Sequence, residues 1–437
     1  MGTCVSCQRG VIERYDVGGN LVEENAERLQ RNNGEEEDIY EGVVGRGDYG
    51  ARIRLHGSSS FISMYSRQGR KGINQDAMTV WENFTGQKGT YFCGVFDGHG
   101  PSGHKVSRYI RDILPSKLSQ SSSRVISTVS FEVGNDDKNS EDSDEKDDGD
   151  GDDPPNPFLD QWKSIFLESF KEMDEDLEGQ TTIDIKCSGS TAVTVLKQDE
   201  HLVIGNLGDS RAVICTRDDS DQLVAEQLTV DLKPNLPGEF ERIKNSNGRV
   251  IAMAEEPNVY RIWKPDEDSP GLAMARAFGD FCLKSYGLSS VPQMHYRKLS
   301  DKDEFVVLAT DGVWDVLSNN EVIRTVASAR RRSMAARVLV EHAVRVWKHK
   351  YPCARTDDCA AVCLFFKRHR RPSLTNSLSQ EATELMAYNY LCSANTDDDG
   401  LDTLLNYKVT TEEGEDGGLL LDSKTGGNSS RPEMPTC

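Results

Sequence analysis

From Phe61 to Phe366 the chain alternates short runs of Val, Ile, Phe, Cys and Ala with longer stretches whose apolar residues recur every three or four positions. The short runs predict strands at Tyr91–Phe96, Thr191–Lys197, Leu202–Asn206, Ala212–Thr216, Phe305–Ala309 and Ala360–Phe366, each bounded by Gly or Asp. Helical spacing joins Val106, Tyr109, Ile110, Ile113 and Leu114, and again Phe158, Trp162, Ile165, Phe166, Phe170 and Met173. A third helical region starts at a Ser318-Asn-Asn-Glu321 capping box, runs through Val322 and Val326, and resumes from Ala335 to Trp347. The segment LVIGNLGDSRAVIC reads as a hairpin turning at Leu-Gly-Asp-Ser. Strands follow one another too directly for a doubly wound parallel sheet, so the pattern predicts an antiparallel α+β sandwich.

Three regions fall outside this pattern. Residues 1–57 and 369–437 are polar and Gly-rich and predict unpacked ends around a domain at 58–368. Within that domain, 119–157 reads as a disordered insert: twelve acids and two lysines lie between Glu132 and Asp153. The net charge is −21 over 437 residues, and this insert carries close to half of it. Such an acidic surface repels polyanions and argues against nucleic acid as a partner. No apolar stretch approaches membrane-spanning length, and MGTCVSCQRG lacks the apolar centre of a secretory signal. Eleven scattered cysteines, several inside apolar runs, read as reduced thiols; Cys4-x-x-Cys7 has no second pair to complete a zinc site.

The chemistry lies where apolar strands run into aspartate. Tyr91–Phe96 leads into Asp97-Gly98-His99-Gly100, and Phe305–Ala309 leads through Thr310 into Asp311-Gly312-Val313-Trp314-Asp315. Asp209 follows Asn-Leu-Gly, Asp357-Asp358 precedes a strand, and Asp76 opens another alternating run. Rigid strands that bring carboxylates to one sheet edge suit a hard divalent cation, Mg²⁺ or Mn²⁺ rather than Zn²⁺. A single Asp-Gly at a strand end is usually only a turn. Several in one domain are a stronger signal. Two Ca²⁺-loop look-alikes, at 395–400 and 148–153, lack the required Gly or terminal Glu. Arg330-Arg331-Arg332 reads as a solvated corner between helices.

The ordered motifs SRQGRKGINQDA, FCGVFDGHGPSG, SGSTA, NLGDSRAV, LAMARAFGD, LATDGVWDVLS and TDDCAAV resemble the metal-dependent type 2C Ser/Thr protein phosphatase family, most closely its plant members. The resemblance implies a four-layer α-β-β-α sandwich, two central antiparallel sheets flanked by helices, with metals in a cleft at one sheet edge. It further implies that Asp97 bridges two ions, that the Gly98 carbonyl joins one of them, and that Asp311 and Asp357 hold the other. Asp76 would act through water. Asp209 would join a weaker third site, or else close an Asx-turn. His99 matches the proposed general acid, or a side chain that orients waters. Lys71 stands where many members place a phosphate-gripping arginine, and Gln75 where an acid is common. Residues 234–270 occupy the place of the family's mobile flap.

A phosphomonoester is nearly dianionic, and two divalent cations would neutralise it and turn a bridging water into the nucleophile. The cysteine-phosphatase signature is absent, and Asp97-Gly98-His99 lacks the second acid of the aspartyl-phosphate route. The expected partners are phosphoprotein substrates, with kinases among them, and the expected state is a monomer. The rival reading is a catalytically weak phosphatase-like module that only binds phosphoproteins or kinases; the complete metal set favours catalysis.

The amino terminus adds a separate expectation. Gly2-Thr3-Cys4-Val5-Ser6 fits the N-myristoylation pattern, and Cys4 and Cys7 are placed to accept palmitate. One myristoyl chain binds membranes only reversibly, so the second lipid would supply stable attachment at the cytosolic face of the plasma membrane. Without acylation, cytoplasm and nucleus are expected.

Overall fold

The computed structural model describes residues 51–55, 61–124, 156–254, 256–353 and 355–366 in full, and the backbone at 14–15, 21–22, 43–46, 125–132 and 409–410. Gly2, Cys4, Cys7, the heart of the acidic insert and most of the tail lie outside the described residues. The chain divides into two units, Met1–Glu41 and Gly42–Cys437. In the first, β1 (Arg14–Tyr15) and β2 (Leu21–Val22) pair antiparallel.

The second unit begins with β3 (Val43–Arg46), β4 (Ala51–Leu55), β5 (Ile62–Arg67), β6 (Asp76–Glu82) and β7 (Tyr91–His99). Helices α1 (Gly103–Glu132) and α2 (Pro157–Glu178) follow. Then come β8 (Gly189–Ser190), β9 (Ala192–Gln198), β10 (His201–Leu207), β11 (Arg211–Arg217) and β12 (Leu223–Gln227). After α3 (Pro237–Asn245) the chain forms β13 (Arg249–Ala252), β14 (Tyr260–Trp263), β15 (Phe278–Gly279), α4 (Phe281–Lys284) and β16 (Gln293–Lys298). It ends with β17 (Phe305–Ala309), α5 (Asp311–Trp314), α6 (Asn319–Ser328), α7 (Ala335–Lys350), β18 (Cys359–Phe365) and β19 (Val409–Thr410).

One sheet has the order β16-β10-β9-β7-β6-β4-β3, and the other β12-β11-β17-β18-β5-β19. Pairing is antiparallel except at β4–β6 and β5–β19. Period-two alternation makes each sheet two-faced. In the second sheet Ala212, Ile214, Val306, Leu308, Ala360 and Val362 face the first sheet's Met78, Val80, Val95 and Val195 in one central core. Their neighbours Val213, Val307, Ala361 and Cys363 point the other way, against Val322, Leu339, Val340 and Ala343 of α6 and α7. The outer face of the first sheet, with Ala77, Phe92, Phe96 and Val203, packs on α1 and α2 through Ile110, Leu114, Phe166 and Phe170. Burying one such Phe contributes about 1.5–3 kcal/mol. This is the α-β-β-α sandwich.

Several expectations change in detail. LVIGNLGDSRAVIC is not a hairpin: β10 pairs with β9 and β16, while β11 pairs with β12 and β17, so the turn crosses from one sheet to the other. Strands begin ahead of residue 58, with Ala51, Ile53 and Leu55 of β4 buried in the central core. Helix α1 continues past Ser119, the expected start of the insert, to Glu132, and Ser121 and Ser122 are buried on it. At the far side, Asn156 caps α2 by accepting from the Leu159 amide at 3.2 Å. Residues 234–270 contain α3 and the β13–β14 hairpin, whose Ile243 and Ile262 join Leu272 and Met274 beyond the segment in a small core.

Candidate active site

Four strand ends meet at one edge of the sandwich. Asp76 and Asp97 are opposed residues in the β6–β7 register. Asp311 follows the end of β17 after Thr310, and Asp357 lies just before β18, the antiparallel neighbour of β17. The two sheets are stitched here by Thr310, whose Oγ1 donates to Asp76 Oδ2 at 2.9 Å and accepts the Ala360 amide at 3.0 Å. The β10–β11 crossing adds Asp209, buried and presented after Gly208 in a left-handed conformation (φ 101°). Thr191 links the pieces: its Oγ1 accepts the Asp97 amide at 3.1 Å and lies 2.8 Å from Ser210 Oγ.

Close backbone approach explains two of the glycines. A Cβ on Gly98 would stand 2.4 Å from the Gly103 carbonyl oxygen, and one on Gly312 only 1.9 Å from that of Asp358. Side chains at either position would push the aspartates apart.

The carboxylates raise one another's proton affinity. Burial pushes Asp97 well above the usual range, and Asp311, Asp76 and Asp357 push it further. Asp311 is raised by burial first, then by Asp209, Asp357 and Asp315. Asp76 is raised by burial and by Asp358, against the pull of the Thr310 hydroxyl. Two lysines answer this charge: Lys71 pairs with Asp357, and Lys233 pairs with Asp209. Burial works against the Lys71 ammonium, yet Asp357, Asp311 and Asp97 outweigh it and hold its pKa up.

This set suits a cation of high charge density. Asp76 Oδ1 and Asp209 Oδ1 are buried without a hydrogen-bond partner, and the donors are all hard oxygens. Among the described residues no three Asp, Glu, His or Cys side chains close a metal cage by themselves. Mg²⁺ keeps several waters and takes few carboxylates, so its binding does not require such a cage.

His99 sits beside the cluster with Nε2 2.5 Å from Asp280 Oδ2. Burial disfavours its charged form, but Asp280 outweighs this and raises its pKa. The pair exists because residue 189 is glycine: a Cβ there would lie 2.2 Å from Asp280 Oδ2 and 2.8 Å from His99 Nε2. Gln75 contributes no charge; its amide donates to Asp358 Oδ2 at 2.8 Å and its carbonyl accepts the Gly98 amide at 3.2 Å. Asp358, which also accepts the Gly69 amide at 2.7 Å, clamps the loop that carries Lys71.

All seven positions expected to act here, Lys71, Asp76, Asp97, Gly98, Asp209, Asp311 and Asp357, lie at this edge, with His99 adjoining. Asp209 has no Asx-turn role; its partner is Lys233. The sequence assigns no role to Lys233 or Asp280 and shows Asp315 and Asp358 only as neighbours of Asp311 and Asp357. Asp280 lies inside LAMARAFGD, Asp315 inside LATDGVWDVLS and Asp358 inside TDDCAAV, a signal that local sequence does carry. Lys233 has none, because its partner is fixed only by the fold.

The protein phosphatase 2C family model matches residues 62–349, most of the sandwich though short of Asp357. The chain belongs to the protein phosphatase 2C family. It is 54% identical over 332 residues to probable protein phosphatase 2C 73 of Oryza sativa subsp. japonica, covering 76% of this chain and 78% of that one. It is 48% identical over 374 residues to probable protein phosphatase 2C 65 of Arabidopsis thaliana, covering 85% and 90%. The fold is similar to a crystal structure of a serine-threonine phosphatase 2C from Toxoplasma gondii, with a TM-score of 0.60, 24% identity, and coverage of 71% and 97%. The sandwich is thus that of a phosphatase 2C, and the protein is a protein phosphatase.

Proposed function

We propose that this protein phosphatase hydrolyses phosphoserine and phosphothreonine in proteins at the carboxylate edge. Asp97, the Gly98 carbonyl, Asp311 and Asp357 would hold two Mg²⁺ or Mn²⁺ ions, with Asp76 acting through water and Asp209 beside a weaker third position. The observation that carries the reading is the convergence of Asp76, Asp97, Asp209, Asp311 and Asp357, with raised proton affinity at Asp76, Asp97 and Asp311, where both sheets end. When bound, the cations supply charge neutralisation for phosphate oxygens and an activated water at neutral pH.

The chain's own groups do the rest. Lys71 is half exposed on its loop and can exchange Asp357 for a phosphate oxygen, as a point charge rather than a fork. His99 keeps Nε2 on Asp280, and its ring, raised in proton affinity beside the cluster, is the group that would supply a proton to the departing seryl or threonyl oxygen. Phosphorylated kinases are among the substrates this chemistry admits. Full-length protein freed of metal by exhaustive chelation should lose turnover of phosphoserine and phosphothreonine peptides and of p-nitrophenyl phosphate, and regain it with Mn²⁺ or Mg²⁺. Undiminished turnover after chelation, or a preference for phosphotyrosine peptides, would overturn the proposal.

The anchoring proposal rests on sequence alone: acylation at Gly2 and at Cys4 or Cys7 would tether the domain to the cytosolic face of the plasma membrane. A fluorescent fusion carrying Gly2→Ala should move to cytoplasm and nucleus; retention at the membrane would end that idea.

A further inference from the structure

Cys187 and Cys282 stand with their sulfurs 3.5 Å apart on two segments that run side by side. The Cys282 amide donates to the Lys186 carbonyl at 3.1 Å, and the Asp280 amide to the Ser188 carbonyl at 3.0 Å. The β8–β15 pairing, Phe278 opposite Ser190, continues the same ladder. Both thiols are partly exposed, whereas Cys93, Cys215, Cys359 and Cys363 are buried.

We propose that Cys187 and Cys282 are a modification site, a dithiol that a peroxide closes into an intramolecular disulfide and thereby disturbs the His99–Asp280 pair. The Cys187 thiolate attacks one peroxide oxygen, breaking the O–O bond to give a sulfenic acid and hydroxide. Hydroxide takes up the proton that Cys187 released, becoming water. The Cys282 sulfur then attacks the sulfenic sulfur, and its thiol proton leaves with the hydroxyl as a second water. Two thiols are oxidised by two electrons in all, and one peroxide is reduced. Burial and the contact with Cys187 push the Cys282 thiol up to about 12, and the same balance holds with the two cysteines exchanged.

Closing the bond draws the sulfurs from 3.5 Å to about 2.05 Å. Each cysteine is tied to the site by two links. Cys282 follows the turn of Asp280, itself in a left-handed conformation at φ 49°. Cys187 precedes Ser188, whose Oγ accepts the Ser102 amide at 2.9 Å, and Gly189, which has no room to shift against Asp280 and His99. Displacement of either segment moves the His99–Asp280 contact.

The test uses full-length reduced protein exposed to hydrogen peroxide, blocked with an alkylating agent, and mapped by peptide mass spectrometry. A linked pair of peptides containing Cys187 and Cys282 is expected, together with a fall in kcat on p-nitrophenyl phosphate of about tenfold or more. Dithiothreitol should reverse both. Cys187→Ser and Cys282→Ser should keep turnover when reduced and lose the dithiothreitol-reversible component, while Cys353→Ser, which alters an exposed thiol, should behave as the unaltered protein. Recovery of both thiols alkylated after peroxide treatment would overturn the proposal. So would a Cys282→Ser protein inactivated as reversibly as the unaltered one. The mass map needs no turnover, so its failure is distinct from failure of the phosphatase reading.

Discussion

The carboxylate edge and the segment from α3 to β14 are held in place by different means. At the edge, Asp76, Asp97, Asp311 and Asp357 sit on or next to strands whose flanking residues are almost all buried, and Thr310 joins the two sheets between them. The α3–β14 segment packs through Ile243 and Ile262 on Leu272, Ala275, Ala277 and Leu283, and Ile251, Met253 and Tyr260 are exposed on it. Polar contacts add to this attachment: Arg242 donates to the Ala275 carbonyl at 2.8 Å, and Arg276 forks onto Glu239. A displacement of a few tenths of an ångström would spoil a metal site but not a surface that meets peptides. Chemistry is therefore placed on strands shared by both sheets, beside a segment that leaves Ile251, Met253 and Tyr260 exposed.

The comparison breaks most readily at Asp97. Asp97→Asn should lower kcat by at least about 10²-fold with little change in melting temperature, as measured by steady-state kinetics beside thermal unfolding. A drop of only twofold would mean that the edge does not hold the reaction.

In the other region the signs reverse. Ile262→Ala, inside the small core, should cost about 2–5 kcal/mol locally, seen as faster amide exchange confined to α3–β14. Ile251→Ala on its surface should change stability by no more than about 0.5 kcal/mol and act, if at all, on KM for peptides. Global unfolding of the Ile262→Ala protein would show that the two regions are one.

Metal linkage gives the next effect. Without cations, Asp76, Asp97 and Asp311 hold protons more tightly when folded than when unfolded, so stability falls as pH rises above about 4 through their raised values. Cations must displace those protons. The stabilisation by Mg²⁺ at a hundredfold excess over Kd, about 2.7 kcal/mol, should thus be full at alkaline pH and shrink toward acid, as read by thermal shift across a pH series. A shift independent of pH would separate Mg²⁺ from these carboxylates.

Smallest is the effect of removing residues 133–155, between the end of α1 and the cap of α2. A short flexible linker there should alter stability by less than about 1 kcal/mol, because loop entropy grows slowly with length. A collapse in melting temperature would show that the segment packs.

How much of this was legible follows the range of each interaction. The strands around Val195, Val306 and Val362 are written in local periodicity and appear within a residue of their expected bounds, while the helix around Phe166 starts where expected and runs on from Met173 to Glu178. Sheet membership is not local: the Gly208–Asp209 turn looks the same whether its strands pair or part, and only the partners at β9 and β17 decide. Ser121 and Ser122 looked like loop, yet they prolong α1 where tertiary packing overrides a weak propensity. The principal carboxylates were readable from their strand ends. Lys233, whose role rests on a partner brought in by folding, was not.

The place of β18 has a consequence for biosynthesis. It lies between β17 and β5, pairing Leu364 with Ile62 and Cys359 with Arg67 across nearly the whole domain sequence. Until the ribosome has released Cys359–Phe365, β5 and β17 have no neighbour on that side, and Asp357 is missing from the edge. Such long-range closure is slow and leaves open strand edges for chaperones to cover. On the role proposed for Asp357, a chain truncated before Cys359 should show no turnover of p-nitrophenyl phosphate, so strand order alone would delay activity until the domain is fully translated.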